Sequence, residues 1–132
     1  MGVREVRVAI TVDDYEGALG LWRDALGLDV TETWDRPDGR GTILAGGRAT
    51  IELVDRLQAE TIDRIEVGER VTGVLRLALE VDDADTATQG LTESGARHLK
   101  GPTITPWGDR NARVVLPGDI QVTLFEAGTP GG

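Results

Sequence analysis

The chain has 132 residues, a formal net charge of −9 at pH 7, 39% hydrophobic and 28% charged residues, no cysteine and one histidine. That balance is globular, and a chain of this length can bury roughly two thirds of its unfolded surface as one domain, 1–132, with no need of a disulfide or metal. The missing thiols and the lone imidazole exclude disulfide frameworks, thiolate zinc or iron–sulfur sites, a cysteine nucleophile and a His-rich metal site within one chain. The acidic balance argues against nucleic acid as a partner and suits a cationic or neutral ligand.

No run of apolar residues approaches a bilayer span, and Met1-Gly2-Val3-Arg4-Glu5 passes directly into alternating sequence with no secretory signal. The expectation is a soluble, cytoplasmic protein with no membrane partner. The first strand alternates Val6, Val8, Ile10 and Val12 with Arg7, Ala9 and Thr11. A helix is predicted over residues 14–26, opened by Asp13 and Glu16 in a capping-box spacing and stopped by Gly27. Leu19, Trp22 and Leu26 share its apolar face, and Tyr15 is placed at the surface. Short strands are predicted at 28–34, 41–44 and 49–54, with turns at Arg36-Pro37-Asp38-Gly39 and Ala45-Gly46-Gly47.

The charged stretch 55–73 reads as a connector with room for a helical turn. A second strand follows, Leu75, Leu77, Leu79 and Val81 alternating with Arg76, Ala78 and Glu80. Then come a helix over 84–94 stopped by Gly95, and strands at 97–100, 113–116 and 120–125 with a turn at Pro117-Gly118-Asp119. The tail, 128–132, reads as disordered.

Arg7-Val8-Ala9-Ile10-Thr11-Val12-Asp13-Asp14 is echoed by Arg76-Leu77-Ala78-Leu79-Glu80-Val81-Asp82-Asp83, 69 residues later. The helix, its glycine stop and the final hairpin repeat in register, which points to internal duplication. The predicted fold is α+β: two tandem βαβββ modules forming curved mixed sheets around a cleft. Module one spans about 3–55, the connector about 56–73 and module two about 74–127. The edges left by each four-stranded module predict a homodimer in which strands or modules of both chains complete the clefts.

Alternation sends one face of each strand under a helix and the other into the cleft. The inward set is Arg7, Thr11, Thr50, Glu52, Arg76, Glu80, Gln121, Thr123 and Phe125, with Ala9 and Ala78 leaving room above the sheet. Trp34 at a strand end and Trp107 in the Pro106-Trp107-Gly108 loop complete a predicted ligand pocket, in which they stack a flat ligand with Phe125. Arg7, Glu52, Arg76 and Glu80 sum to zero charge and are expected to pair where the cavity is dry. Their guanidinium forks also suit a carboxylate, phenolate or carbonyl of a ligand. His98 follows the second helix, outside this register, and reads as a surface residue. Ala45-Gly46-Gly47-Arg48 joins two strands and is no phosphate loop, and there is no nucleophile elbow.

The stretches Val12-Asp13-Asp14, Trp22-Arg23-Asp24-Ala25-Leu26-Gly27-Leu28, Ile51-Glu52-Leu53, Leu77–Asp83 and Pro106-Trp107-Gly108 resemble the vicinal oxygen chelate superfamily. That group includes glyoxalase I, extradiol dioxygenases, fosfomycin-resistance enzymes and bleomycin-resistance proteins. The resemblance covers about Val3 to Ala127 and implies paired βαβββ modules around a pocket, with dimers usual. It implies metal ligands at four inward positions, occupied here by Arg7, Glu52, Arg76 and Thr123. Arginine has no lone pair to give, so no metal and no cofactor is expected. The reading that follows is a metal-independent protein sequestering an aromatic or amphipathic metabolite or antibiotic, as bleomycin-resistance proteins do. The alternative is a metal-free isomerase, cyclase or lyase with Glu52 as catalytic base. A further alternative is a metal-dependent lyase or dioxygenase with unorthodox ligands such as Glu52, Glu80 and Glu126.

Overall fold

The computed structural model describes residues 2–128. β1 (Val3–Val12) leads into α1 (Tyr15–Leu19) and a π-helical segment (Gly20–Ala25). The first module continues through β2 (Asp29–Arg36), β3 (Gly39–Gly46) and β4 (Ala49–Asp55). After α2 (Arg56–Glu66) the pattern repeats: β5 (Leu75–Val81), α3 (Ala84–Glu93), β6 (Arg97–Ile104), β7 (Arg110–Leu116) and β8 (Ile120–Glu126). This is the α+β duplication expected, with the strands extended by a residue or more at several ends.

All eight strands join one curved sheet, in the order β2-β3-β4-β1-β5-β8-β7-β6. Each module pairs its first and last strands in parallel, β1 with β4 and β5 with β8. The modules join where β1 runs antiparallel to β5. The module edges on which the sequence-based dimer rests are therefore paired within the chain, because the duplicated first strands satisfy each other's backbone groups. Among the described residues, β2 and β6 remain as the sheet edges.

The convex face carries the two cores. Under α1, Leu44 and Leu53 are fully buried with Tyr15 and Leu19, joined by Ile10, Val12, Trp22 and Ile51. Under α3, Val81, Ala84, Ala87, Val114, Val122 and Leu124 form the counterpart. Each fully buried leucine contributes roughly 1.5–3 kcal/mol. Among the described residues no helix is long and apolar enough to cross a membrane.

Three expectations for the first helix need correction. Its cap is Asp14, which accepts from Gly17 N–H at 3.0 Å, while Glu16 pairs instead with Arg40 at 2.8 Å. The helix widens at Gly20, a poor helix former, and Leu26 N–H reaches back five residues to Leu21 C=O. The wider turn takes Leu26 off the apolar face shared by Leu19 and Trp22 and leaves it 63% exposed. Tyr15 is buried, its hydroxyl hydrogen-bonded to Thr42 and its ring covered by the Arg40 guanidinium at 4.5 Å. Of the tail predicted as disordered, Gly128 is placed, donating N–H to Asp109 at 2.9 Å; residues 129–132 lie outside the described residues.

The connector departs most from expectation. It holds an eleven-residue helix, α2, capped by Asp55, which accepts from Gln58 N–H at 2.8 Å. Gln58, Ala59, Ile62, Asp63 and Glu66 form its buried stripe at helical spacing. Gly39 meets the α2 backbone at Gln58, leaving no room for a Cβ, and takes a φ of 139° that a side chain would resist.

Candidate functional site

The concave side of the sheet and α2 enclose a cavity of about 350 Å³. Strand register explains which groups meet there. Ala9 pairs with Glu52 on one side and Arg76 on the other. Ala9 ends at its Cβ, so the Arg76 guanidinium crosses β1 and Nη2 donates to Glu52 Oε1 at 3.2 Å. Both side chains are buried, Glu52 8% and Arg76 6% exposed. Arg76 Nη1 also donates to Thr123 Oγ1 at 2.9 Å, and Thr123 donates to Glu66 Oε1 at 2.6 Å.

One strand pair further along, Arg7 lies over the Phe125 ring at 4.7 Å and is held by Glu5 at 2.8 Å. Burial pulls the Arg7 pKa down, but the bond to Glu5 and the charges of Glu5, Glu52 and Glu32 outweigh it, leaving the pKa above its ordinary value. Glu5 is held below the usual carboxylate range: burial raises it, and the Arg7 bond and charge more than reverse that. Of the four charges expected to pair, Arg76 and Glu52 do so, while Arg7 pairs with Glu5 and Glu80 has no ion-pair partner among the described residues. Glu5 wins because it lies two residues along the same strand, on the same face as Arg7.

The rest of the wall comes from α2. Arg113, fully buried, donates to Glu66 from Nε and Nη2 at 3.1 and 2.9 Å, and from Nη1 to Asp63 at 3.0 Å. Asp63 also accepts from the Thr72 hydroxyl and N–H, Val71 N–H and Arg70, at 2.6–2.9 Å. Burial would raise its pKa, but the Thr72 hydroxyl, the Thr72 and Val71 amides and Arg70 lower it to about 2. Asn111 donates to Glu66 Oε2 at 2.9 Å, while its own Oδ1 is buried without a partner.

Of the predicted site residues, Arg7, Trp34, Glu52, Arg76, Glu80, Trp107, Thr123 and Phe125 line this cavity. Thr11, Thr50 and Gln121 share the inward parity but stand outside its lining. Gln121 is taken up by Arg113 at 3.0 Å and Thr50 by Glu5. Thr11 pairs with Val54, at the end of β4 that leads into α2. Trp34 is less available for stacking than the sequence suggests: its indole N–H donates to Gln58 at 3.1 Å and its ring fills the place of a side chain at Gly41. Trp107 is 42% exposed. His98 lies outside the cavity, exposed, in contact with Gly101 C=O at 2.8 Å. Sequence reasoning missed Gln58, Ile62 and Glu66, which line the cavity from α2, and Asn111 from β7.

The residues do not fit a divalent metal. The four inward positions supply two guanidinium groups, a threonine and one carboxylate already bonded to Arg76. Among the described residues no three His, Cys, Asp or Glu side chains gather to hold an ion. Glu126 caps α3 through Ala84 N–H at 2.9 Å and does not line the cavity.

The sequence profile of the Glyoxalase/Bleomycin resistance protein/Dioxygenase superfamily matches residues 5–130. No curated protein matches the chain. A hypothetical protein from Bacillus halodurans superposes with a TM-score of 0.71 at 19% identity, covering 98% of this chain and 97% of that one. Methylmalonyl-CoA epimerase from Mycobacterium tuberculosis gives 0.70 at 24% identity, with 97% and 91% covered. A Streptomyces coelicolor methylmalonyl-CoA epimerase in complex with 2-nitronate-propionyl-CoA gives 0.68 at 19% identity, with 97% and 100% covered. At these identities the likeness is one of fold.

Proposed function

The chain belongs to the Glyoxalase/Bleomycin resistance protein/Dioxygenase superfamily, and from that premise we propose that it is a metal-independent isomerase or lyase. It acts on a small carbonyl compound, with Glu52 as general base. The observation that carries this reading is the buried Glu52–Arg76 pair inside the cavity. Arg76 engages Oε1 only, and Oε2 is left to take a proton from the carbon beside the substrate carbonyl. The electron pair of the broken C–H bond moves onto the carbonyl oxygen, where a guanidinium stabilises the enolate. Return of the proton to either face gives an isomer; expulsion of a neighbouring leaving group gives a lyase product. An epimerase inverts one stereocentre by chemistry of this kind, and the fold shared with proteins of that name supports an enzyme over a pure binder.

A specific observation favours a second reading, sequestration without chemistry. Both buried cavity carboxylates, Glu52 and Glu66, are already bonded to arginines, as in a structural ion-pair network bracing the sheet. Trp107 and the arginines would then serve as anchors for a bound aromatic or amphipathic ligand, as in bleomycin-resistance proteins. Glu52→Gln separates the two: it should abolish turnover with binding retained if Glu52 is the base, whereas in a binder it changes affinity alone.

A further inference from the structure

We infer that the cavity end remote from Glu52 is a subsite for a protonated amine on the substrate. The inference rests on the preceding reading only in taking this cavity as the substrate site. Glu5, Glu80, Phe125 and Asn111 form one continuous row across β1, β5, β8 and β7, each paired in register with the next. Three of the four offer an acceptor oxygen and the fourth a ring face, which is the composition that receives a cation. Arg7 already lies over that ring, so the row holds one cation belonging to the protein.

Glu5 is taken by Arg7, but Glu80, in the same row and lining the cavity, has no ion-pair partner among the described residues. The independent observation is Asn111. Its side chain is 95% buried by its residue exposure of 5%, it lines the cavity, and its Oδ1 is the unpartnered buried side-chain oxygen noted above. The bond from Nδ2 to Glu66 fixes which end of the amide is the oxygen, since Glu66 can only accept. The terminal amide torsion is soft, so Oδ1 can turn to meet a donor arriving from the cavity. An unmet acceptor plus an unpaired carboxylate calls for a group that carries both N–H bonds and positive charge.

Arg76 and Glu80 are four residues apart on β5, about 13 Å between their Cα atoms, and the Arg76 guanidinium reaches back toward the amine pole through its bond to Thr123. The substrate class is thus an amino-carbonyl compound short enough to lie between the two poles, with Trp107 flanking the cationic end.

The test is calorimetric titration with phenethylammonium chloride, with 3-phenylpropionate as the anionic counterpart. The amine should bind, more weakly as salt is raised. Glu80→Gln, folded by circular dichroism, should weaken it roughly two- to fivefold and should not weaken 3-phenylpropionate. The Asn111 side-chain amide resonances should move on amine addition. Absence of amine binding, amine affinity unchanged in Glu80→Gln, or equal losses for amine and carboxylate would overturn the inference. The readout is binding, so its failure leaves the role of Glu52 standing, and loss of the Glu52 chemistry leaves the amine site standing.

Discussion

Replacing Asp63 by Asn tests whether α2 is locked into the cavity wall by charge. Asp63 is 1% exposed and accepts five hydrogen bonds from Arg70, Val71, Thr72 and Arg113. Its pKa falls from 3.8 to about 2 in the folded protein. A depressed carboxyl pKa gives stability that is present above the unfolded value and lost as pH falls through the folded one. At about 1.4 kcal/mol per unit, the shift corresponds to roughly 2.5 kcal/mol at neutral pH, of which a little under half is lost by pH 3. Asp63→Asn removes that charge and leaves Arg113 short of a partner in a buried site. Urea unfolding at pH 7 should therefore show a loss of at least about 2 kcal/mol. At pH 3 the gap between wild type and variant should narrow by about 1 kcal/mol. A gap that stays constant from pH 7 to pH 3 would refute the charge argument and leave only packing.

Elemental analysis of protein purified without added metal should show no near-stoichiometric zinc, iron, nickel or manganese, and chelators should leave any activity unchanged; stoichiometric metal lost in Glu52→Ala would reverse this. The chain should also be a homodimer by light scattering. The basis is now the convex face of β1 and β5, where Val6 and Leu75 are 49% and 61% exposed between the two helices. Val6→Asp should shift the equilibrium toward monomer, and a monomeric wild type at micromolar concentration would reject the assembly.

The modules were legible because two periodicities, 2 and 3.6, repeat about 69 residues apart in the strands and in the helix that follows each first strand. The inward faces followed from the same alternation, which is why Glu52, Arg76 and Thr123 could be grouped before their contacts were seen. α2 was not legible. Its buried stripe includes Gln58, Asp63 and Glu66, and a polar stripe looks solvated unless its partners are known. Those partners, Arg113 and Asn111, lie on β7 nearly fifty residues away, and a sequence pattern carries no record of such pairing. One signal was available: Asp55 followed by a helical run with Leu57, Ala59 and Ile62 amid charges. The loss of Trp34 as an open stacking face was equally hidden, since it depends on Gly41 opposite and on Gln58 from α2. Tyr15 misled for a similar reason, its burial being created by Thr42 and Arg40 on β3.

The central claim is that Glu52 moves a proton at a carbon beside a carbonyl. Proton NMR in D2O tests it most directly, by following exchange of that hydrogen in a panel of amino-carbonyl compounds and their neutral analogues. The wild type should exchange the hydrogen of at least one compound it binds. Glu52→Gln should bind that compound comparably while exchange falls roughly 10²- to 10⁴-fold. Tight binding with no exchange by wild type, or exchange that persists in Glu52→Gln, would contradict the account.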